Sequence, residues 1–213
     1  MNKPLHATSV SKRFGTHTVL ADVDLHVEAG ETVLLLGPNG VGKSTMLGCV
    51  CGTVIPDRGT IEIGGHSLAN APLAARAALR YLPQEVEVPA GLTGEELLQF
   101  YADVHRDGAG MARAREATQL GEALERLAST YSVGMRRRLA FGGLQLGEAD
   151  LYVLDEPFAG VDREGRGRMV DILQALIGRG AGLLLAVHDR DLADLDPFSP
   201  RRVELTRPAE AAS

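Results

Sequence analysis

Gly37-Pro38-Asn39-Gly40-Val41-Gly42-Lys43-Ser44-Thr45 is the stretch on which the reading of this chain turns. It fits the spacing G-x-x-x-x-G-K-[ST] and follows an apolar run, Thr32 to Leu36, that reads as a buried strand. Ser44 to Cys51 reads as a helix that Gly52 ends. Strand, glycine loop and helix together are the context a phosphate-binding loop needs. Glycines let main-chain N–H groups turn inward onto phosphate oxygens, and the helix N-terminus adds partial positive charge. Lys43 is placed to reach the β- and γ-phosphates, and the Ser44 hydroxyl to ligate Mg²⁺. The chain carries three lysines against nineteen arginines. One of the three stands here, where a compact charge on a flexible stem suits better than a planar fork.

The composition is that of an ordinary soluble globular chain: 213 residues, 45% apolar and 23% charged. A net charge of −6 argues against a general nucleic-acid binder. The longest apolar runs, Thr32–Leu36 and 182–187, fall far short of the ~20 residues of a membrane span. Met1 to His6 holds no apolar signal segment. The expected place is the cytoplasm, with any membrane span supplied by a partner. Cys49 and Cys51 lie two apart on the helix and point to nearly opposite sides, so they read as small buried thiols.

Residues 4–36 read as strands. Val19 to Val27 alternates, with Val23, Leu25 and Val27 on one side and Asp22, Asp24 and His26 on the other. Phe14-Gly15 reads as part of a polar loop, Ser11 to Thr18; its ring is either an adenine stacker or an edge residue covering the sheet. Thr60 to Ile63 and Leu79 to Leu82 read as strands, and Ala71 to Ala78 as a helix. Glu95 to Val104 and Met111 to Leu127 carry helical periodicity, separated by Asp107-Gly108-Ala109-Gly110. Leu151 to Leu154 is an apolar strand that runs into Asp155-Glu156-Pro157, a helix follows over 163–179, and Leu183 to Val187 is a further strand ending on His188. Alternating strands and helices predict a mainly parallel sheet.

In such a sheet the glycine loop after Leu36, the acidic pair after Leu154 and His188 share one edge, where α/β proteins place ligand chemistry. Asp155 suits Mg²⁺, directly or through water, and Glu156 suits the proton of an attacking water. A lone histidine is more often structural than catalytic.

Taken together these pieces resemble the ATP-binding subunit of an ABC transporter, over nearly the whole chain. Phe14 is similar to the family's adenine-stacking aromatic, and residues 37–45 to its Walker A loop. Gln84, after Tyr81-Leu82-Pro83, resembles the Q-loop glutamine, which contacts Mg²⁺ and the attacking water and senses the membrane partner. Tyr131-Ser132-Val133-Gly134-Met135 resembles the signature, Leu151 to Glu156 the Walker B strand with its catalytic glutamate, Ala159-Gly160-Val161-Asp162 the D-loop, and His188 the switch histidine.

The resemblance implies a P-loop NTPase (RecA-like) α/β fold in one domain, 1–213. Its nucleotide-binding core would be 1–84 and 148–208, with an antiparallel β edge and a helical subdomain at about 85–147. It implies ATP and Mg²⁺ as cofactors, and a second ATP-binding subunit arranged head to tail. Each ATP would then lie between the Walker A loop of one copy and Ser132 and Gly134 of the other. It further implies a multispanning permease, to which the chain would bind peripherally on the inner face of the membrane.

Val133 and Met135 depart from the usual Leu-Ser-Gly-Gly-Gln signature, in a form similar to ABC-2-type exporters. After His188 the family usually adds a strand pair; here one strand, Arg202 to Leu205, is expected. Arg136-Arg137-Arg138 reads as the exposed and interdomain face of the helix after the signature rather than a nucleic-acid patch. The competing reading is a soluble ABC ATPase that powers an assembly machine such as iron–sulfur cluster assembly.

Overall fold

The computed structural model describes residues 3–187 and 189–208, and the chain divides into two compact units. The first holds residues 3–81, 149–155 and the described residues from 176 on; the second holds 82–148 and 156–175.

In the first unit, strands β1 (Leu5–Phe14), β2 (His17–Val27), β4 (Arg58–Ile63) and β5 (His66–Ser67) make an antiparallel sheet in the order β2-β1-β4-β5. The alternation read in β2 is seen: Leu25 and Val27 are buried, and Asp22, Asp24 and His26 face solvent. The polar loop expected over 11–18 is absent. β1 runs on through Phe14, which pairs with His17 across a two-residue turn. The polar residues there are strand residues at the solvated end of the β1–β2 hairpin, whose outward side chains give no apolar signal.

The second sheet has the order β6-β7-β8-β3-β9, with β3 (Thr32–Leu36), β6 (Leu79–Leu82), β7 (Leu151–Asp155), β8 (Gly182–Ala186) and β9 (Arg201–Glu204). The pairs β3–β8, β7–β8 and β3–β9 are all parallel. Their central members are buried at every position, as strands covered on both faces must be. β9 is the one strand described after position 188. It lies at the edge beside β3, and Leu205 closes it with an N–H to the carbonyl of Leu36 at 2.9 Å.

Past its first three residues, helix α1 (Lys43–Cys51) is apolar all round because it is buried all round: every residue from Met46 to Cys51 is inside. It shares one core with Leu5, Val10, Leu25 and Val27 of the antiparallel sheet and Val33, Leu35, Val153 and Leu184 of the parallel one. Gly52, left-handed at φ 71°, ends it as expected. Cys49 and Cys51 are free and buried in this core. Burial pushes the Cys49 thiol up to about 11 and raises that of Cys51 too, so neither is a nucleophile. A short helix, α2 (Pro72–Ala77), completes the unit.

The second unit is built of helices α3 (Gly94–His105), α4 (Met111–Thr118), α5 (Val133–Gly143) and most of α6 (Arg163–Gly178). Thr93 and Glu96 form a reciprocal capping box at the start of α3. The single helix expected over 111–127 is broken: Gln119 turns left-handed, and 3₁₀ turns follow at Gly121–Glu125 and Ala128–Thr130. Of the leucines that carry the helical period, Leu120 and Leu124 are still drawn into the core with Leu97, Leu98, Tyr131 and Leu139, while Leu127 is exposed. Asp107, which reads as a linker residue, is a hub. Its carboxylate accepts from the N–H groups of Gly110 and Gly147, both at 2.9 Å, and pairs with Arg113. The Gly147 bond contributes most to holding its pKa below the ordinary carboxylate value.

Candidate nucleotide site

The parallel register places the chemistry. Leu35 pairs with Ala186, and Ala186 pairs on its other side with Asp155. The glycine loop after β3 and Asp155, the last residue of β7, therefore lie at the same edge and level of the sheet. His188, which would follow β8 there, lies outside the described residues.

The loop is fixed by backbone conformation. Gly42 sits at φ 113° directly before α1, and a Cβ there would fall 2.9 Å from Val19 Cγ1 and 3.2 Å from the Val19 carbonyl. No side chain caps α1, and its first turn carries no acidic residue. Its leading N–H groups and its dipole are thus directed at the loop without a competing carboxylate. Lys43 folds back, its Nζ donating to the carbonyls of Gly37 at 2.6 Å and Pro38 at 3.3 Å. Pro38, Asn39, Gly40 and Ser44 are exposed, while Gly37 and Thr45 are half-buried and Val41 is buried. Phe14, at the end of β1, is 53% exposed, with Lys12 Nζ 5.3 Å from its ring centre.

Asp155, the last residue of β7, is buried at 3% exposure, and Ser44 belongs to the same unit. A hydroxyl and a carboxylate are hard oxygen donors of the kind Mg²⁺ takes alongside substrate phosphates. Among the described residues no cluster of three His, Cys, Asp or Glu side chains offers a dedicated metal cage.

The second unit carries Gln84, Glu156, Ser132, Gly134 and Asp162. Ser132 is the N-cap of α5, its Oγ accepting from Met135 N–H at 3.2 Å. Gly134 is required by close approach: a Cβ there would stand 2.4 Å from the carbonyl of Gly160. The segments around Gly134 and Gly160 are thus pressed together within the second unit. Asp162 directly precedes α6, its carboxylate accepting from Gly165 N–H at 2.8 Å. Gln84 is exposed and Glu156 half-buried. Glu156 is one of few non-glycine residues in the left-handed region, at φ 48°.

Sequence reasoning missed Arg137. The expected exposed arginine face is corrected here: Arg137 is 2% exposed. Its guanidinium donates through Nη1 to the carbonyls of Glu156 at 2.8 Å and Pro83 at 3.5 Å, and through Nη2 to the carbonyl of Gln84. An arginine run reads as surface on composition alone. The available signal was position, because Arg137 precedes the core residue Leu139 on a helix with few outward positions.

A glycine loop between a parallel strand and a buried helix, with an acidic strand end beside it, defines a P-loop nucleotide-binding protein. The family model described as ABC transporter matches residues 20–159, and the chain belongs to the ABC transporter family, as an ATP-binding subunit. It is 35% identical over 199 residues to the daunorubicin/doxorubicin resistance ATP-binding protein DrrA of Streptomyces peucetius, covering 90% of this chain and 60% of that protein. It is 34% identical over 193 residues to the lipopolysaccharide export system ATP-binding protein LptB of Haemophilus influenzae, covering 87% of this chain and 80% of that one. A solved structure described as the ATP binding subunit of an ABC transporter superposes with a TM-score of 0.81 at 32% identity, covering 94% of this chain and 85% of that one. The chain spans about 60% of the length of the daunorubicin-resistance relatives it matches. No helix among the described residues is long and apolar enough to cross a membrane.

Proposed function

We propose that this chain hydrolyses ATP to ADP and phosphate and drives export through a separate membrane permease, to which it docks peripherally from the cytoplasmic side. The single observation that carries this reading is Lys43 at the head of a buried, uncapped helix, its ammonium on loop carbonyls that a triphosphate would replace. Export is supported by the relatives, which are named for drug resistance and lipopolysaccharide export.

In this reading residues 37–45 wrap the phosphates and Phe14 stacks on adenine; Ser44, Asp155 and Gln84 would hold Mg²⁺, which would supply positive charge against the phosphates. Glu156 takes the proton of the attacking water, and His188 contacts the γ-phosphate. The exposed Ser132 and the α5 N-terminus serve the nucleotide of a second subunit, with Gly134 and Asp162 alongside. ATP is then the adhesive of a head-to-tail pair, and hydrolysis releases it. Residues 1–213 form one ABC ATP-binding domain, with 1–84 and 148–208 as nucleotide-binding core and about 85–147 as helical subdomain. Glu156→Gln tests the whole scheme. It should bind ATP-Mg²⁺, turn over at least about 100-fold more slowly, and elute as a dimer in gel filtration only with ATP. A variant that stays monomeric at saturating ATP defeats the sandwich.

A further inference from the structure

We propose that Arg137 is a positioning residue whose buried guanidinium sets the Gln84 and Glu156 loops as one unit, so that ATP hydrolysis depends on it while ATP binding does not. The proposal rests on the ATPase reading above. Its evidence is separate: one side chain, 2% exposed, donates to carbonyls at Pro83, Gln84 and Glu156, segments 54, 53 and 19 residues away.

A buried cation is costly unless it meets acceptors, and carbonyls on two loops accept from both Nη atoms here. The fork is what allows it, since two nitrogens address two loops in one plane. An ammonium offers a single point. The grip falls where the backbone needs it. Glu156 holds φ 48°, a conformation disfavoured for a side chain of its kind, and the carbonyl of that residue takes the 2.8 Å bond. Turning that peptide back would redirect the Glu156 carboxyl and leave a buried guanidinium short of an acceptor. Arg137 also lies on α5, whose N-cap is Ser132. A phosphate seated at the start of this helix by a second subunit would thus be joined, through one rigid helix and one guanidinium, to the loops that act on water.

The test compares the full chain with Arg137→Lys and Arg137→Gln, measuring Kd for a fluorescent ATP analogue, kcat, KM and Tm. Arg137→Lys should keep Kd and KM within about twofold and lose about 10- to 100-fold in kcat. Arg137→Gln should lose at least as much. Wild-type kcat in Arg137→Lys overturns the proposal while leaving the ATPase reading intact. So does a kcat loss matched by an equal loss of binding, which marks a purely structural role. A wild-type chain that does not bind ATP defeats the ATPase reading itself, and this proposal with it. If neither variant folds, hydrogen exchange on the wild type decides. Amides of 84–86 and of 156, 158 and 159 should gain protection together on adding ATP-Mg²⁺, and independent exchange overturns the proposal.

Discussion

The two halves of the chemistry are held in different ways. The phosphate loop of the first unit is shaped by its own main chain: Gly42 at φ 113°, a strand before it and a buried helix behind. The loops of the second unit, at Gln84 and Glu156, are shaped from a distance by Arg137. A locally encoded loop is legible and rigid, whereas a loop held by a remote side chain can be moved through that side chain. In the proposed function, binding belongs with the first arrangement and gating with the second.

The largest effect should come from the local half. Lys43→Ala removes the only mobile cation of the loop and should lower ATP turnover by at least about 100-fold, with ATP binding weakened in parallel. Near-normal ATPase activity would show that the loop does not hold the triphosphate, and the contrast between the halves would lose its first term.

Next comes a pair of glycines in one kind of setting. Gly134 lies in α5 with no room for a Cβ, 2.4 Å from the Gly160 carbonyl; Gly167 lies in α6 with nothing within 4 Å. Helix propensity alone favours alanine at both by up to ~1 kcal/mol. Gly134→Ala should nevertheless destabilise by about 1–3 kcal/mol, because backbone must shift. Gly167→Ala should stabilise by about 0.5–1 kcal/mol, raising Tm by roughly 2–4 °C per kcal/mol. Equal shifts of one sign in a thermal melt would mean that the segments around Gly134 and Gly160 are not pressed together. A smaller effect is expected at Phe14→Ala, a several-fold rise in KM for ATP at unchanged kcat, since a half-exposed stacking ring contributes about 1 kcal/mol. An unchanged KM would return the ring to a role in the sheet.

The contrast also explains what was readable beforehand. Residues 37–45, the buried strands and Asp155-Glu156 follow from local spacing, and the parallel register then brings Asp155 level with Leu35 through Ala186. The loop expected at 11–18 and the helix expected at 111–127 failed for opposite reasons. A solvated hairpin end hides its period in polar residues, and a broken helix keeps part of its period because the core still claims Leu120 and Leu124. Arg137, Asp107 and the Gly134–Gly160 contact were illegible because each acts on partners well removed in sequence. No window that reads neighbours can see them.

The smallest effect tests whether the phosphate loop is as self-sufficient as this account makes it. β9 flanks β3, and its Arg201 pairs with Glu31 in the turn before β3, also donating to the carbonyl of His26. Burial works against the Glu31 carboxylate, but the Arg201 bond, the Glu28 N–H and the nearby positive charge outweigh it, so its pKa lies below the ordinary value. A carboxylate depressed in the folded state stabilises above its unfolded pKa, near 4.3, and loses that contribution as pH falls through the folded one. Glu31→Gln should therefore lower Tm at pH 7 by an amount worth no more than about 1 kcal/mol, the pair being partly exposed and screened. The difference should shrink toward zero as the pH is lowered below 4. KM for ATP should not change at all. A tenfold rise in KM would show that the turn and β9 hold the phosphate loop from outside, making it the same kind of remotely governed element as the loops that Arg137 grips.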